Sequence, residues 1–260
     1  MMARGSKKSE AKGRTGIRWR RLAWAALGCA VFVSTAWAGL KVRQFALSDP
    51  QFKLMRERPE SLMISGLKHT PRIKVSRVFA SDFGQSIFSI PLEERRRRLV
   101  AIDWVEDAKV MRIWPDRLTV EIHERNPVAF VFLRSTVLLI DGEGVLLNPP
   151  AQAQFTFPVL SGVREDEPDE ARRERVHAML RVQDDLGYLA KDISEVNVSD
   201  TENIRVIAQV EQRALELILG DSNYARRYQN FLNHYPEIHK RSPGVKTFDL
   251  RLDDRITTKD

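Results

Sequence analysis

Cysteine and histidine are few in this chain, carboxylates are plentiful, and the spacing of none of them suits chemistry. The single cysteine, Cys29, sits inside an uncharged apolar run, so no disulfide, thiolate metal site or thiol nucleophile is expected in the rest of the chain. The five histidines are His69, His123, His177, His234 and His239. They include no pair four residues apart and no His-Glu-x-x-His, the spacing that would put two imidazoles on one helix face around a metal. No Gly-x-Ser-x-Gly elbow occurs, and Asp141 and Glu143 fall in a glycine-containing turn. Hydrolysis would need carboxylates converging in a cleft, or a nucleophile beside its base. The run Arg95-Arg96-Arg97-Arg98 has the chemistry of a phosphate site. It follows Glu93 and Glu94 at a helix start, the order that the helix macrodipole favours, and reads as a solvated face. The expectation is therefore a protein without catalytic, cofactor-binding or metal-binding residues.

Charge points away from nucleic acid. The formal excess is +7, and residues 1–21 alone carry eight basic side chains against Glu10. Beyond them the signs balance at 34 each, whereas a nucleic-acid binder concentrates basic residues on a folded face.

After this tail comes LAWAALGCAVFVSTAWAGL, residues 22–40, opening at Leu22 and closing at Leu40 without one charge. Nineteen residues at 1.5 Å each span roughly 28 Å, close to the hydrocarbon thickness of a bilayer. Trp19, Trp24 and Trp37 lie near its ends, where amphipathic rings prefer the interface. The basic tail would keep the N-terminus in the cytoplasm and put residues 41–260 across an inner membrane. The competing reading is a cleaved signal with Ala36-Trp37-Ala38 as its site, and Arg20-Arg21 raises a twin-arginine signal. The long basic region and the apolar residues continuing to Leu40 favour an uncleaved anchor.

The elements that follow predict an α+β architecture. Residues 41–59 read as a juxtamembrane linker or frayed first strand, and 61–67 as a short strand. Thr70-Pro71 offers an N-cap and first-turn proline for a helix to about Ala80, and Pro91 opens a second helix. A strand over 108–114, a turn at Trp114-Pro115-Asp116-Arg117 and a strand with Leu118, Val120 and Ile122 inward complete a β-α-α-β-β unit. His123 falls on the polar face of that strand. Beyond it, 128–133, 137–140 and 145–147 read as strands, with Asp141-Gly142-Glu143-Gly144 as a hairpin turn. A helix from about Asp169 places Val176, Met179, Leu180 and Gln183 on one face, ending at Gly187. Three alternating strands, a helix with Tyr224, Tyr228, Phe231 and Leu232 inward, and a last strand through Phe248, Leu250 and Leu252 follow. Segment boundaries are expected at 1–21 (tail), 22–40 (membrane helix), 41–59 (linker), 60–125 and 126–258.

Three stretches give the chain a family likeness. IDWVEDAKVMRIWPDRLTVEIHERNPVAF at 102–130, LLIDGEGVLL at 138–147, and the later FPVL-x-G and TFDLR resemble the FtsQ/DivIB family of bacterial division proteins. The resemblance implies a POTRA domain over 60–125 and an FtsQ-type β domain over 126–258. It implies an inner-membrane scaffold at the division septum that binds FtsL/FtsB-type coiled-coil proteins and regulates septal wall synthesis. It also implies a partner-binding final strand within 249–258, where Leu252 and Ile256 would make apolar contacts and Arg251 a polar one, since a strand edge offers unpaired backbone groups. The alternatives are a POTRA-bearing secretion or outer-membrane assembly component and a membrane-anchored periplasmic enzyme.

Overall fold

A computed structural model describes residues 15–151 and 153–259; most of the basic tail lies outside them. Five α-helices and twelve strands follow one another among the described residues: α1 Thr15–Ser48, β1 Leu62–Ser65, α2 Arg72–Val78, α3 Leu92–Val100, β2 Val105–Ile113, β3 Arg117–Glu124, β4 Pro127–Leu133, β5 Thr136–Asp141, β6 Leu146–Leu147, β7 Val159–Ser161, α4 Asp169–Leu186, β8 Ile193–Asn197, β9 Ile204–Val210, β10 Arg213–Gly220, α5 Tyr224–Arg241, β11 Thr247–Asp249 and β12 Thr257–Lys259. The mixed α+β class is as the sequence predicts. Strands β1-β3-β2 form one sheet, and β12-β11-β10-β9-β8-β7-β4-β5-β6 form another. The chain gathers into two compact units: one holds the chain through Ile64 with Ser76–Arg95 and Lys109–Val120, the other holds Ser65–Val75, Arg96–Ala108 and everything from Glu121.

In the first unit α1 runs eight residues past the uncharged stretch, where a linker or strand was expected. The reason is a packed end: Phe45 meets Phe52 edge-on at 5.8 Å, and Ser86 Oγ donates to the Ala46 carbonyl at 2.7 Å. A 3-10 turn over Pro50–Phe52 follows, capped by the Asp49 carboxylate. Residues 52–54 then pair with 84–87 through Leu54 N–H to Gln85 O, Gly84 N–H to Leu54 O and Ile87 N–H to Phe52 O. The Ala23–Ser48 part of α1 is apolar and long enough to cross a membrane, and its apolar window is not buried inside the protein.

Arg95 corrects the reading of the arginine run. It is buried, and its Nε and Nη2 each donate to one oxygen of the Asp82 carboxylate at 2.6 Å, with Asp82 itself fully enclosed. Burial acts against the charged guanidinium, but the Asp82 hydrogen bonds outweigh it and raise the Arg95 pKa. The signal was in the spacing: Arg95 is three residues after Leu92 and four before the buried Leu99, so it shares the inward stripe. The expected turn after β2 forms around a cis Trp114–Pro115 bond.

In the second unit Thr70 is not the side-chain cap that the sequence suggested. The Glu124 carboxylate, from the end of β3, instead accepts the backbone N–H groups of Lys68 (3.1 Å), His69 (2.8 Å) and Thr70 (2.7 Å) just ahead of α2. Gly66 permits this approach: at φ +83° an added Cβ would lie 2.0 Å from the Ile122 carbonyl oxygen. Burial pulls the Glu124 pKa up, but hydrogen bonds from Thr70 and from the His69, Thr70 and Lys68 backbone outweigh it and leave the pKa lowered. A depressed carboxylate contributes stability that is present above its unfolded pKa and lost as pH falls through the folded one. Glu124→Gln should therefore cost about 1–2 kcal/mol in urea unfolding at pH 7. That deficit should shrink as pH falls through the ordinary carboxylate range and below it, because the unfolded chain takes up its proton first and folded Glu124 only at lower pH.

The large sheet is mixed. β4–β7, β7–β8 and β10–β11 are parallel, and the other neighbours are antiparallel. The connections to β8 and β11 contain α4 and α5, as parallel pairs require. Both helices cover a core with Val131, Leu160, Val196, Val206, Leu217, Tyr228, Phe231 and Phe248. On α4 the buried residues are Val176, Ala178, Met179, Val182 and Leu186, so the inward face is turned one residue from the expected one and Gln183 stays half-exposed. Trp104, Leu139 and Leu147 make a smaller cluster with Phe130, Val145, Phe155 and Phe157.

Candidate partner-binding edge

Alternating Phe248, Leu250 and Leu252 predicted a single last strand, but the chain forms two short strands joined by a turn. Leu250 N–H makes its last ladder bond to Ile218 O at 2.9 Å. Asp249 then accepts the Arg251 N–H at 3.1 Å, a side-chain turn that competes with extended pairing. Residues 253 and 254 complete the reversal, and β12 returns antiparallel to β11 with Thr247 opposite Lys259, Phe248 opposite Thr258 and Asp249 opposite Thr257.

β12 closes the sheet, so the side of its backbone turned away from β11 meets no other described strand. The backbone N–H and C=O groups that this three-residue strand turns to that outer side, at alternate residues, are therefore open to an added strand.

The turn ahead of β12 is fastened to α5. Arg227 donates from Nε to Asp253 at 3.0 Å and from Nη1 to the Leu219 carbonyl at 2.6 Å, bridging helix, turn and strand. Gly220 makes room for it, since a Cβ there would lie 2.9 Å from Arg227 Nη1. Between α5 and the turn runs a groove of about 340 Å³, lined by Arg226, Asn230, Asn233, Leu252, Asp253 and Ile256 among others. A second depression continues it past His234 and Glu237.

The three residues singled out from the sequence fall into this region with different roles. Leu252 is 54% exposed, a large apolar side chain offered to solvent beside the groove. Ile256 is half-buried, packing against the main core while lining the groove. Arg251 is solvent-exposed but already engaged. Its Nε and Nη2 donate to Asp249 at 2.9 and 2.6 Å, and its Nη1 donates to Asn203 Oδ1 at 2.8 Å. The hydrogen bond to Asp249, then its charge, raises the Arg251 pKa. Arg251 thus braces the turn.

Arg227 and Asp253 escaped sequence reasoning. Adjacent arginines in an amphipathic helix read as solvent-facing, and only the long-range pairing with Asp253 distinguishes Arg227. His123 is exposed at the end of β3, and among the described residues no group of three or more His, Cys, Asp or Glu could hold a metal ion.

Residues 58–125 match the FtsQ-type POTRA domain family, and residues 129–251 match the C-terminal domain of cell division protein FtsQ/DivIB. The cell division protein FtsQ of Koribacter versatilis is 33% identical over 242 residues, covering 91% of this chain and 69% of that protein. FtsQ of Syntrophotalea carbinolica is 27% identical, with 94% and 85% covered, and FtsQ of Myxococcus fulvus is 25% identical, with 84% and 76% covered. Among solved structures, the major extracytoplasmic domain of DivIB from Geobacillus stearothermophilus, in its trans isomer, is 20% identical. It covers 46% of this chain and 95% of its own, at a TM-score of 0.27. The two matched domains in order, behind an apolar N-terminal helix, together with a relative 33% identical over 91% of this chain, show that this chain belongs to the FtsQ/DivIB family of cell division proteins.

Proposed function

We propose that this chain is an inner-membrane scaffold of the division machinery that captures FtsL/FtsB-type coiled-coil proteins by strand addition at β12, and does no chemistry of its own. The tail over 1–21 sets orientation, α1 crosses the membrane, and the domains over 60–125 and 126–258 stand on the far side at the septum. Assembly there positions and regulates septal wall synthesis.

The observation that carries this reading is the open outer edge of β12 beside an exposed Leu252. Backbone pairing supplies affinity with little regard to sequence, and an apolar anchor next to it supplies selectivity. A partner strand along β12 would extend the sheet beyond the braced turn, its side chains facing Leu252 and the groove on α5.

The test is a pull-down from membranes with tagged full-length protein. Leu252→Glu puts a charge on the apolar contact, and Thr258→Pro removes a backbone donor from β12. Each should weaken recovery of the FtsB-type partner about tenfold or more, equivalent to about 1.4 kcal/mol, while the unfolding midpoint stays near wild type. Wild-type recovery by both variants would rule out the strand assignment.

A further inference from the structure

The first unit carries a row of rings that its own interior does not enclose. Phe52 is buried and touches Phe45 at 5.8 Å, Phe88 at 5.4 Å and Trp114 at 6.3 Å between ring centres. The outer three are 53%, 44% and 69% exposed. Fixed backbone holds them outward. Arg112, one residue before Ile113, donates from Nε to the Ile87 carbonyl at 2.6 Å and from Nη2 to the Ile90 carbonyl at 2.7 Å. That clasps the Phe88 loop to the end of β2. The Ser86–Ala46 hydrogen bond ties the same loop to α1. Contiguous apolar surface of this kind on a braced loop marks a contact site.

The course of α1 says what the rings meet. The uncharged run ends at Leu40, and Lys41 and Arg43 are the first charges beyond it. Lys41 Nζ lies 5.6 Å from the centre of the Trp37 ring, as expected of an ammonium reaching from the hydrocarbon edge to the headgroups over an interfacial tryptophan. Phe45 is five residues past Leu40, about 7.5 Å further along the helix axis. The polar layer on each side of the hydrocarbon is itself roughly 5–8 Å deep. Rings stacked outward from Phe45 through Phe52 therefore stand at headgroup depth, where tryptophan and phenylalanine partition favourably.

We infer that Phe88 and Trp114, continuous with Phe45 through Phe52, are a membrane-resting surface: the β2–β3 turn lies in the headgroup layer of the bilayer that α1 crosses. This rests on the reading of α1 as a membrane anchor. The lipid contact holds the unit against the bilayer and leaves it little freedom to swing on a tether.

The test uses full-length protein in phosphatidylethanolamine/phosphatidylglycerol vesicles. An environment-sensitive fluorophore is placed on native Cys29 or, in a Cys29→Ser background, on Phe88→Cys, Trp114→Cys or Lys109→Cys. Nitroxide lipids with the spin label at the headgroup or deep in the chain act as quenchers. Label at Cys29, midway along the apolar run, should be quenched from deep in the chain. Labels at 88 and 114 should be blue-shifted and quenched from the headgroup. Label at 109, five residues and about 17 Å back along β2, should not be quenched. The native ring is read without a dye by comparing wild type with Trp114→Phe: the shallow-quenched part of the tryptophan emission should fall in the variant. If 88 and 114 behave like 109 while Cys29 is quenched, as when a protein and not lipid covers the rings, the surface assignment is overturned and the anchor stands. If Cys29 itself is not quenched, the anchor is overturned and this surface with it.

Discussion

Asp82→Ala is expected to destabilise the folded region after α1 by about 3–5 kcal/mol, among the largest effects of any single polar substitution in the chain. Asp82 is fully enclosed, and both of its oxygens accept from Arg95 at 2.6 Å. Removing the carboxylate leaves a buried guanidinium with only the Glu94 contact at 3.2 Å and the Ser81 hydroxyl at 3.5 Å. The penalty is mostly that of an uncompensated charge. Arg95→Ala should cost a comparable amount for the mirrored reason. Replacing both partners together, as Asp82→Leu with Arg95→Met, should recover much of the loss, because an apolar pair needs no desolvated charge. Urea unfolding of the detergent-solubilised protein measures all three. Additive losses in the double variant, or a loss under about 1 kcal/mol in Asp82→Ala, would show that water reaches the pair.

How much of this was legible beforehand depends on the range of the interactions involved. The alternation of Leu118, Val120 and Ile122 marked β3 with its inward face, and Asp141-Gly142-Glu143-Gly144 marked the turn after β5, because strand period and turn chemistry are local. The class, the order of elements and the family likeness followed from such signals. Long-range pairings did not show. Nothing near Arg95 announces Asp82, nothing near Arg227 announces Asp253, and Glu124 caps residues more than fifty positions earlier in the chain. The last strand was misjudged for a related reason: Asp249 takes the Arg251 N–H and breaks a pattern whose side chains alternate perfectly well. Of the three residues picked for the candidate edge, the two apolar ones line or flank the groove, whereas Arg251 spends its donors within the fold. Apolar exposure can be read from a pattern. The engagement of a guanidinium cannot.

That difference bears on how the edge works. A three-residue strand is too short to present an ordered template unless its approach is rigid, and the turn before β12 has two independent braces. Arg251 closes onto Asp249 and Asn203 on one side, and Arg227 holds Asp253 to α5 and Leu219 on the other. Ile256 adds an apolar foot in the main core. Under the proposed strand addition, a partner would meet backbone already held in strand geometry and would lose less conformational entropy on binding.

Trp104→Ala is expected to produce the second large effect, a loss of about 3–5 kcal/mol, since a buried indole is truncated with little chance for its surroundings to collapse. The indole Nε1 donates to the Asn148 carbonyl at 2.9 Å, just past β6. Its ring stacks on Phe155 at 6.2 Å and meets His69 at 4.8 Å. Phe155 in turn stacks on Phe157 at 5.6 Å, over the β4–β5 face that holds Leu139. Within the second unit, Trp104 is therefore a side chain that joins the Ser65–Val75 and Arg96–Ala108 segments to the large sheet, beside the His69–Phe155 contact and the Asn148–Asp103 hydrogen bond. Trp104→Phe keeps most of the apolar surface and loses the hydrogen bond, so it should cost only about 1–2 kcal/mol. Hydrogen exchange separates this account from simple global destabilisation. In Trp104→Ala, amides near His69, Val105 and Leu147 should exchange faster than their share of the global loss, while those of β9 and β10 should follow global unfolding alone. Uniform acceleration across both groups would mean that the indole supports the whole sheet and does not fasten one segment to it.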